Sequence, residues 1–261
     1  MEYRAPYQKI PSQESYNEEN ISQKPAVEVL QQLGYKLISP QKAEQMRDNL
    51  YNVLLKPILK KQLEKINFYT YKNQTYNFSS NTIEQAIQDL NESLINGLIR
   101  TNEQIYDYLM LGKAYTQNLE DSTKRSFNLN YIDWENFENN EFHVVEEFSV
   151  EREKAGKHAR PDIVLFINGI PFGVIECKKS SYSIEKGISQ MIRNQNNDYI
   201  PQLFKYIQIV MSTNKNDTMY ATTSTPLKFW SKWREQDEVW HQEEIKKAVI
   251  NRKPTKQDED I

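Results

Sequence analysis

Two strongly apolar stretches, separated by a tight-turn signal, constrain the fold of this chain most. The segment 161–167 reads PDIVLFI, Asn168-Gly169 follows it, and the segment 172–177 reads FGVIEC. An Asn-Gly pair between two β-branched and aromatic runs is typical of a two-residue hairpin turn. We therefore predict an antiparallel hairpin of two apolar strands.

Helical and strand-like periodicities surround this hairpin in an order that favours an α/β fold. Helical spacing dominates the first half of the chain and strand-like alternation the second. The predicted helices cover 22–33, 41–66, 82–98, 102–110 and 183–196. The predicted strands cover 35–38, 127–131, 142–150, 161–167, 172–177, 206–211 and 218–222, and 67–79 is predicted as turn and strand. The expected architecture is a central mixed sheet flanked by helices, with additional N-terminal helices.

Single residues mark some of the predicted helix ends. Ser22 is the expected N-cap of the first helix, and Gly34 is its expected C-terminal stop. Pro57 lies inside the second helical pattern and should kink or split that helix.

Composition excludes several classes of protein. No apolar run approaches the ~18 residues of a membrane span, and the N-terminus lacks the apolar core of a secretory signal. We therefore expect a cytoplasmic protein without membrane contact. The single cysteine, Cys177, excludes an internal disulfide, and the three histidines are too far apart in sequence to suggest a zinc site. Because the net charge is -3, any DNA contact requires a local basic patch or partner subunits.

Three charged side chains stand at the ends of the predicted hairpin strands. Asp162 opens the first strand, and Glu176 and Lys178 lie two residues apart near the end of the second. Side chains two apart on a strand share a face, and the hairpin brings Asp162 towards Glu176. Two carboxylates suit Mg²⁺, and the backbone carbonyl of Cys177 could add a ligand. Lys178 could stabilise charge on a scissile phosphate or help to deprotonate a water. Charges at this spacing also often form a solvated strand end, so the pattern alone leaves both interpretations open.

The segment RPDIVLFINGIPFGVIECKKS, residues 160–180, closely resembles the PD-(D/E)xK nuclease motif of type I restriction enzyme R subunits (HsdR-like). The resemblance extends to KPAVEVLQQLGY, SFNLNYIDWENFENNEFHVVEEFSV, IPQLFKYIQIVMSTN and MYATTST, and together these cover roughly 22–240. It implies a restriction-endonuclease-like core and a Mg²⁺-dependent, site-specific deoxyribonuclease, with Mn²⁺ as a possible substitute. It also implies that Asp162 and Glu176 bind the metal and that Lys178 is catalytic.

This sequence departs from the family pattern at two positions. The family often adds a Gln-x-x-x-Tyr element on the next helix; Gln190 matches the glutamine, but Asn194 stands where the tyrosine is expected. The resemblance thus makes Gln190 a further candidate catalytic residue. The family also often has a supporting glutamate on the first helix, where Gln23 stands here. Either that support is lost, or Glu28, the only acid on this helix, supplies it.

The resemblance also implies a longer enzyme. The chain contains no G-x-x-x-x-G-K-[ST] segment, so we expect that it binds no ATP itself. ATP-driven translocation would belong to motor domains beyond Ile261 in the full-length subunit. The expected partners are double-stranded DNA and the methyltransferase and specificity subunits. The predicted organisation is a flexible arm over 1–20, an endonuclease domain over 21–225, and a segment over 226–261 that leads to the motor.

Basic side chains flank the motif and could contact the DNA backbone. Lys157, Arg160 and Lys179 are the candidates; a solvated loop is the alternative, and the position of this loop directly before Asp162 favours DNA contact. An aromatic cluster follows at Phe229, Trp230, Trp233 and Trp240. We predict that it packs as core or against a further domain in preference to stacking on bases.

Three other functions are compatible with the sequence. One is a resolvase or repair nuclease of the same fold. The second is a degenerate nuclease fold that acts as a DNA-binding or subunit-docking module. The third is a scaffold that serves only interaction, in which replacing Asp162 would change nothing but local stability.

Overall fold

A seven-stranded mixed sheet forms the centre of the molecule and carries the predicted hairpin. A computed structural model of the chain describes residues 23–153, 156–179, 181–214 and 217–234. Its helices are α1 (Lys24–Gln32), α2 (Pro40–Gln45), α3 (Lys56–Ile66), α4 (Ser80–Asp89), α5 (Leu98–Leu111), α6 (Ile184–Asn194) and α7 (Pro201–Phe204). Its strands are β1 (Lys36–Ile38), β2 (Phe68–Tyr71), β3 (Gln74–Asn77), β4 (Lys113–Asn118), β5 (Lys124–Leu129), β6 (Phe142–Glu146), β7 (Val150–Glu151), β8 (His158–Ala159), β9 (Ile163–Ile167), β10 (Ile170–Cys177), β11 (Ile209–Thr213), β12 (Thr218–Ala221) and β13 (Ser231–Lys232).

The sheet is mixed, as predicted. Its strands follow the order β1-β6-β9-β10-β11-β12-β13. β1 pairs with β6 and β10 with β11 in parallel, whereas β6 with β9, β9 with β10, and β11 with β12 pair antiparallel. The hairpin β9–β10 therefore lies in the middle of the sheet, flanked by a strand on either side. Three further pairs, β2–β3, β4–β5 and β7–β8, form separate two-stranded sheets.

Helices cover both faces of the sheet because its central strands are apolar on both sides. Val164 and Phe166 of β9 join the larger buried cluster, which includes residues of α3, α4, α5, α6 and α7. The alternating residues Ile163 and Leu165 join a smaller cluster with side chains of α1. Successive side chains of a strand point to opposite faces, so α1 covers one face and α6 the other. The predicted architecture of a mixed sheet between helices is confirmed.

The Asn168-Gly169 turn has the backbone conformation that its sequence predicts. Both residues have positive φ, 52° at Asn168 and 82° at Gly169, as a type I′ turn requires. The buried Asn168 amide donates to the Tyr131 carbonyl at 3.0 Å and to the Asn140 side chain at 2.8 Å, and its oxygen accepts from the Glu141 N–H. The turn is therefore fixed by local chemistry and by a buried amide that joins it to the preceding segment.

Replacing Asn168 by alanine is expected to lower the free energy of unfolding by about 2–3 kcal/mol, since it adds left-handed strain and leaves buried polar partners unsatisfied. Asn73 also has positive φ, 62°, but is exposed in the β2–β3 turn. Asn73→Ala therefore isolates the backbone strain and should cost about 1 kcal/mol. Urea unfolding of both variants measures the difference, and equal losses would show that the buried amide contributes nothing.

Two predicted helices end earlier or divide. The helix expected over 41–66 is two helices, α2 and α3, and Pro57 occupies the first turn of α3, where its missing N–H costs nothing. The helix expected over 82–98 ends at Asp89. Gly97, with φ 84°, then starts α5 at Leu98, so the short helix predicted over 102–110 is longer than expected.

Several predicted strands also differ in their bounds. The strand expected over 142–150 is interrupted at Glu147, whose φ is 50°, and continues as the short β7. Of the strand expected over 127–131, only 127–129 is strand; it is the end of β5, which pairs with β4, a strand that was not predicted. The strand expected over 206–211 begins only at Ile209, because the preceding segment forms α7 and a buried turn.

The terminal predictions have mixed outcomes. Gly34 has φ 98° just after α1, as predicted, but Ser22 and the arm over 1–20 lie outside the described residues. Gln23 occupies the N-cap position of α1 without a capping hydrogen bond. Among the aromatic cluster, Trp230 is buried in the core, whereas Phe229 and Trp233 are exposed, so packing as core holds for Trp230 and packing of the other two against a further domain stays a prediction. Trp240 is outside the described residues. In the described ranges, no helix has the length and apolar character needed to cross a bilayer.

Candidate active site

The hairpin brings the three charged residues of the sequence pattern together. Asp162 immediately precedes β9, and Ile163 is paired with Ile175 of β10. The Cys177 N–H donates a hydrogen bond to Asp162 Oδ2 at 2.7 Å, which fixes the aspartate beside the end of β10. Glu176 and Lys178 project to the same side of β10, as their spacing predicts.

Lys178 occupies the space between the two carboxylates. Its Nζ donates to Glu176 Oε1 at 2.8 Å and to the Cys177 carbonyl at 2.9 Å, and lies 3.8 Å from Asp162 Oδ2. The side chain is buried, with 8% of the residue exposed. A lysine is almost never this buried without paired charge, so the cluster is an electrostatic unit at the strand ends.

Glu176 is the most strongly perturbed carboxyl of this unit. It is completely buried, and burial together with the nearby Asp162 carboxylate raises its pKa to about 8, although Lys178 lowers the pKa in opposition to both effects. Glu176 Oε2 is buried and makes no hydrogen bond to any residue that the structure describes. A carboxyl placed in this way, in a cluster that could hold a ligand, is a candidate functional group.

These residues fit a hard divalent cation. The carboxylates of Asp162 and Glu176 converge on Lys178 Nζ, and among the described residues nothing hydrogen-bonds to Glu176 Oε2. The described ranges contain no group of three or more His, Cys, Asp and Glu residues arranged for a metal. Mg²⁺ is commonly held by one or two carboxylates and completes its octahedron with waters and substrate phosphates, so two carboxylates suffice.

Helix α6 closes the site from one face of the sheet. It begins at Ser183, whose hydroxyl accepts from the Glu185 N–H, and its buried face includes Gly187, Ile188 and Met191. A Cβ at Gly187 would lie 2.2 Å from Ser212 Oγ and 3.3 Å from Lys178 Cγ. Glycine is therefore required here for the helix to approach the lysine and β11 closely.

Gly187→Ala is expected to lower the free energy of unfolding by about 1–2 kcal/mol, because overpacking outweighs the gain in helix propensity. Adding Ser212→Ala removes the closest contact, at the loss of the hydrogen bond to the Ile184 carbonyl, and should restore part of the stability. The exposed Ser189→Ala on the same helix is the control, with a change below about 0.5 kcal/mol. Thermal unfolding compares the set; a silent Gly187→Ala would show that α6 can move away from the strands.

The side chains of the other candidate site residues have fewer contacts with Asp162, Glu176 and Lys178. The Cys177 side chain is buried on the α1 side, and its carbonyl, the proposed extra ligand, accepts the Lys178 hydrogen bond. Gln190 is half-buried on α6 and makes no hydrogen bond to the described residues. Asn194, one turn further on, is buried.

The candidate DNA contacts lie around the start of β9 and the end of β10. Arg160 is exposed and forms an ion pair with Glu147. Lys157 is exposed near β8, and Lys179 is half-buried directly after Lys178.

Sequence reasoning missed the position of Glu146 and the contacts of Gln23. The Gln23 side chain, with 4% of the residue exposed, places Nε2 at 3.4 Å from both Glu146 Oε1 and the Asp162 carbonyl. Glu28 is exposed on α1, so the suggestion that it supplies the supporting acid is wrong. Only the pairing of β6 with β9 reveals the position of Glu146, because it sets Glu146 opposite Ile163, the residue after Asp162.

Comparison with known proteins gives one family match and several similar sequences. The family model described as "Type I restriction enzyme R protein N terminus" matches residues 15–229. A type I restriction enzyme endonuclease subunit of Methanocaldococcus jannaschii is 29% identical over 247 residues, 89% of this chain and 21% of the relative. The EcoprrI endonuclease subunit of Escherichia coli is 29% identical over 133 residues, 50% of this chain and 39% of the relative. The HindI endonuclease subunit of Haemophilus influenzae is 27% identical over 161 residues, 60% of this chain and 15% of the relative. The chain thus spans only a fraction of the length of these relatives.

Proposed function

The chain belongs to the family of type I restriction enzyme R protein N termini, and from that membership we propose that it is a Mg²⁺-dependent deoxyribonuclease with a restriction-endonuclease-like core. The relatives are named as endonuclease subunits of type I restriction enzymes. The observation that carries the proposal is the convergence of Asp162, Glu176 and Lys178 at the end of the central hairpin, where Glu176 Oε2 accepts no hydrogen bond from the part of the chain that the structure describes.

Asp162 and Glu176 would hold the cation between their carboxylates. Bound there, Mg²⁺ supplies Lewis-acid polarisation of a scissile phosphate and lowers the pKa of an attacking water; Mn²⁺ would substitute. The Cys177 N–H keeps Asp162 Oδ2 in place, so one carboxylate is already oriented. Ionised Glu176 is unfavourable in its buried position, and a divalent charge beside it removes that penalty.

Lys178 would act on the substrate phosphate. Its Nζ already lies among the two carboxylates, so a phosphate that approaches the cation also approaches this ammonium. From there it can donate to a non-bridging oxygen and stabilise the charge that develops during hydrolysis, or orient the attacking water. The buried stem of Lys178 packs beneath Gly187 and restricts where the ammonium can go.

The surrounding polar residues would position DNA. Arg160, Lys157 and Lys179 would contact backbone phosphates, which gives affinity without reading bases. Gln190 projects from α6, the helix that covers Lys178, and would contact the substrate or a water rather than the protein.

The complete subunit would add the remaining activities. We infer that ATP-dependent translocation on double-stranded DNA belongs to segments beyond this chain, and that methyltransferase and specificity subunits complete the enzyme in the cytoplasm. A second candidate function is a degenerate nuclease fold that docks DNA or a subunit. Gln23 and Asn194, which replace an acid and an aromatic residue of the family pattern, favour it.

Cleavage by the complete enzyme separates these two functions. Lys178→Met keeps the buried stem and removes the ammonium, so plasmid cleavage with Mg²⁺ and ATP should fall about 10²–10³-fold. ATP hydrolysis on the same DNA should remain, because the motor lies elsewhere. Lys186→Met, at an exposed position of α6, is the matched control and should cleave normally. A Lys178→Met enzyme that cleaves at the parental rate would favour the docking function.

A further inference from the structure

A cavity whose lining does not include Asp162, Glu176 or Lys178 is bounded by a mixture of charged, polar, aromatic and apolar side chains. It has a volume of about 490 Å³ and is bounded by the segment before α3, by α3 and α4, and by α7 with the residues that follow it. Leu55 lies between the lining residues Leu54 and Lys56, and its N–H donates to the Gly169 carbonyl at the hairpin turn. Asp162 and Glu176 lie at the opposite end of the five-residue strand β9, about 16 Å away along the strand.

Lys205 is the unusual group in this cavity. Only 5% of the residue is exposed, and its Nζ donates to the Glu92 carbonyl at 2.6 Å and to Asn91 Oδ1 at 3.2 Å. Across residues 23–153, 156–179, 181–214 and 217–234, no carboxylate lies within 4.0 Å of this ammonium. A buried cation held by neutral oxygens is costly unless an anion reaches it.

The cavity has one lysine, Lys205, without a carboxylate ion-pair partner among the residues that the structure describes. Its lining includes three lysines, Lys56, Lys60 and Lys205, and one acid, Glu84, which is already paired with Lys60 at 2.6 Å. Lys56 is paired with Asp48. Burial lowers the pKa of Lys205 to about 8, while Glu92 and Glu153 oppose this effect from beyond ion-pair distance. An anion bound beside Nζ would raise that pKa again.

The rest of the cavity lining suits a flat, partly polar molecule. Tyr51 and Tyr206 contribute aromatic surface, Val53 and Ile87 contribute apolar surface, and amide side chains such as Gln88 stand between them. A volume of several hundred Å³ with apolar walls and a few convergent polar groups is typical of a small-molecule site.

We propose that this cavity binds a mononucleotide-sized phosphate monoester, with the phosphate on Lys205 and the heterocycle between the tyrosine and apolar walls. Lysine provides a point charge for phosphate, and amide side chains can pair with the edge of a base. This site is independent of the proposed nuclease reaction, because it shares no residue with Asp162, Glu176 or Lys178.

The four deoxynucleoside 5′-monophosphates are the probes, titrated into the full chain by calorimetry up to about 10 mM, well above a Kd of ~1 mM. At least one should bind saturably, and its nucleoside without phosphate should bind at least ~10-fold more weakly. Lys205→Met should weaken binding at least ~10-fold. Lys61→Met, at an exposed position of α3 outside the cavity, should bind as the parent does.

A second variant tests the cavity without touching the buried lysine. Gln88 is exposed at the wall, so Gln88→Trp should fill the cavity, abolish nucleotide binding and leave the fold intact. The proposal is overturned if no monophosphate binds, or if binding survives unchanged in both Lys205→Met and Gln88→Trp. If Lys205→Met fails to fold, Gln88→Trp decides alone.

Discussion

Asp162→Asn is expected to lower the rate of DNA cleavage by the complete enzyme at least ~10³-fold while the domain stays folded. Asparagine keeps an oxygen that can accept from the Cys177 N–H, so the backbone contact at the end of β10 survives. It lacks the negative charge with which Asp162 would hold a divalent cation, and the Lewis-acid contribution is lost with the cation. Plasmid cleavage, measured beside ATP hydrolysis, gives the size of the effect.

The matched control for this prediction is Asp107→Asn, which removes the same charge from an exposed position of α5. It should cleave at the parental rate. If Asp162→Asn cleaved DNA as fast as Asp107→Asn, the cluster at the hairpin end would be structural, as in a scaffold whose function is only interaction.

Glu176→Gln is expected to abolish cleavage and, in the absence of divalent cations, to stabilise the fold at alkaline pH. Burial raises the pKa of Glu176 to about 8, whereas a glutamate in an unfolded chain titrates near ~4.3. Between these two pH values the folded chain holds one more proton than the unfolded chain, so the parent loses stability as the pH rises through this window. Glutamine cannot ionise and escapes that loss.

Urea unfolding in EDTA at several pH values measures this difference. At pH 5, where the unfolded glutamate already ionises, Glu176→Gln should be more stable than the parent by about 1 kcal/mol, whereas at pH 8.5 it should be more stable by at least about 3 kcal/mol. Saturating Mg²⁺ should narrow the gap by stabilising only the parent. A gap that is constant from pH 5 to pH 8.5 would mean that Glu176 is already ionised in the folded chain without a cation.

The hairpin and its three charged residues could be predicted because their geometry is local. Period-two alternation and the Asn-Gly turn fix which side chains of β9 and β10 share a face, and this places Asp162 beside Glu176. No other element needed to be known. The PD-(D/E)xK function attached to this cluster remains a proposal that rests on the family and on the fit to a cation.

Features that depend on distant parts of the chain could not be predicted. The contacts of Gln23 require knowing that β6 pairs with the outer edge of β9 and that α1 begins beside it. The interruption at Glu147 places a non-glycine residue at positive φ, which only tertiary contacts enforce. The raised pKa of Glu176 likewise depends on burial by elements that lie far away in sequence.

Manganese titration tests the central claim most directly, that Asp162 and Glu176 together form a divalent metal site. Mn²⁺ is titrated by calorimetry at pH 8.5, where Glu176 can ionise, into the parent, Asp162→Asn, Glu176→Gln and Asp107→Asn. We expect saturable binding in the parent and in Asp107→Asn, and at least ~10-fold weaker binding in Asp162→Asn and Glu176→Gln. Equal binding in all four proteins would mean that other residues hold the cation and that Asp162 and Glu176 do not form its site.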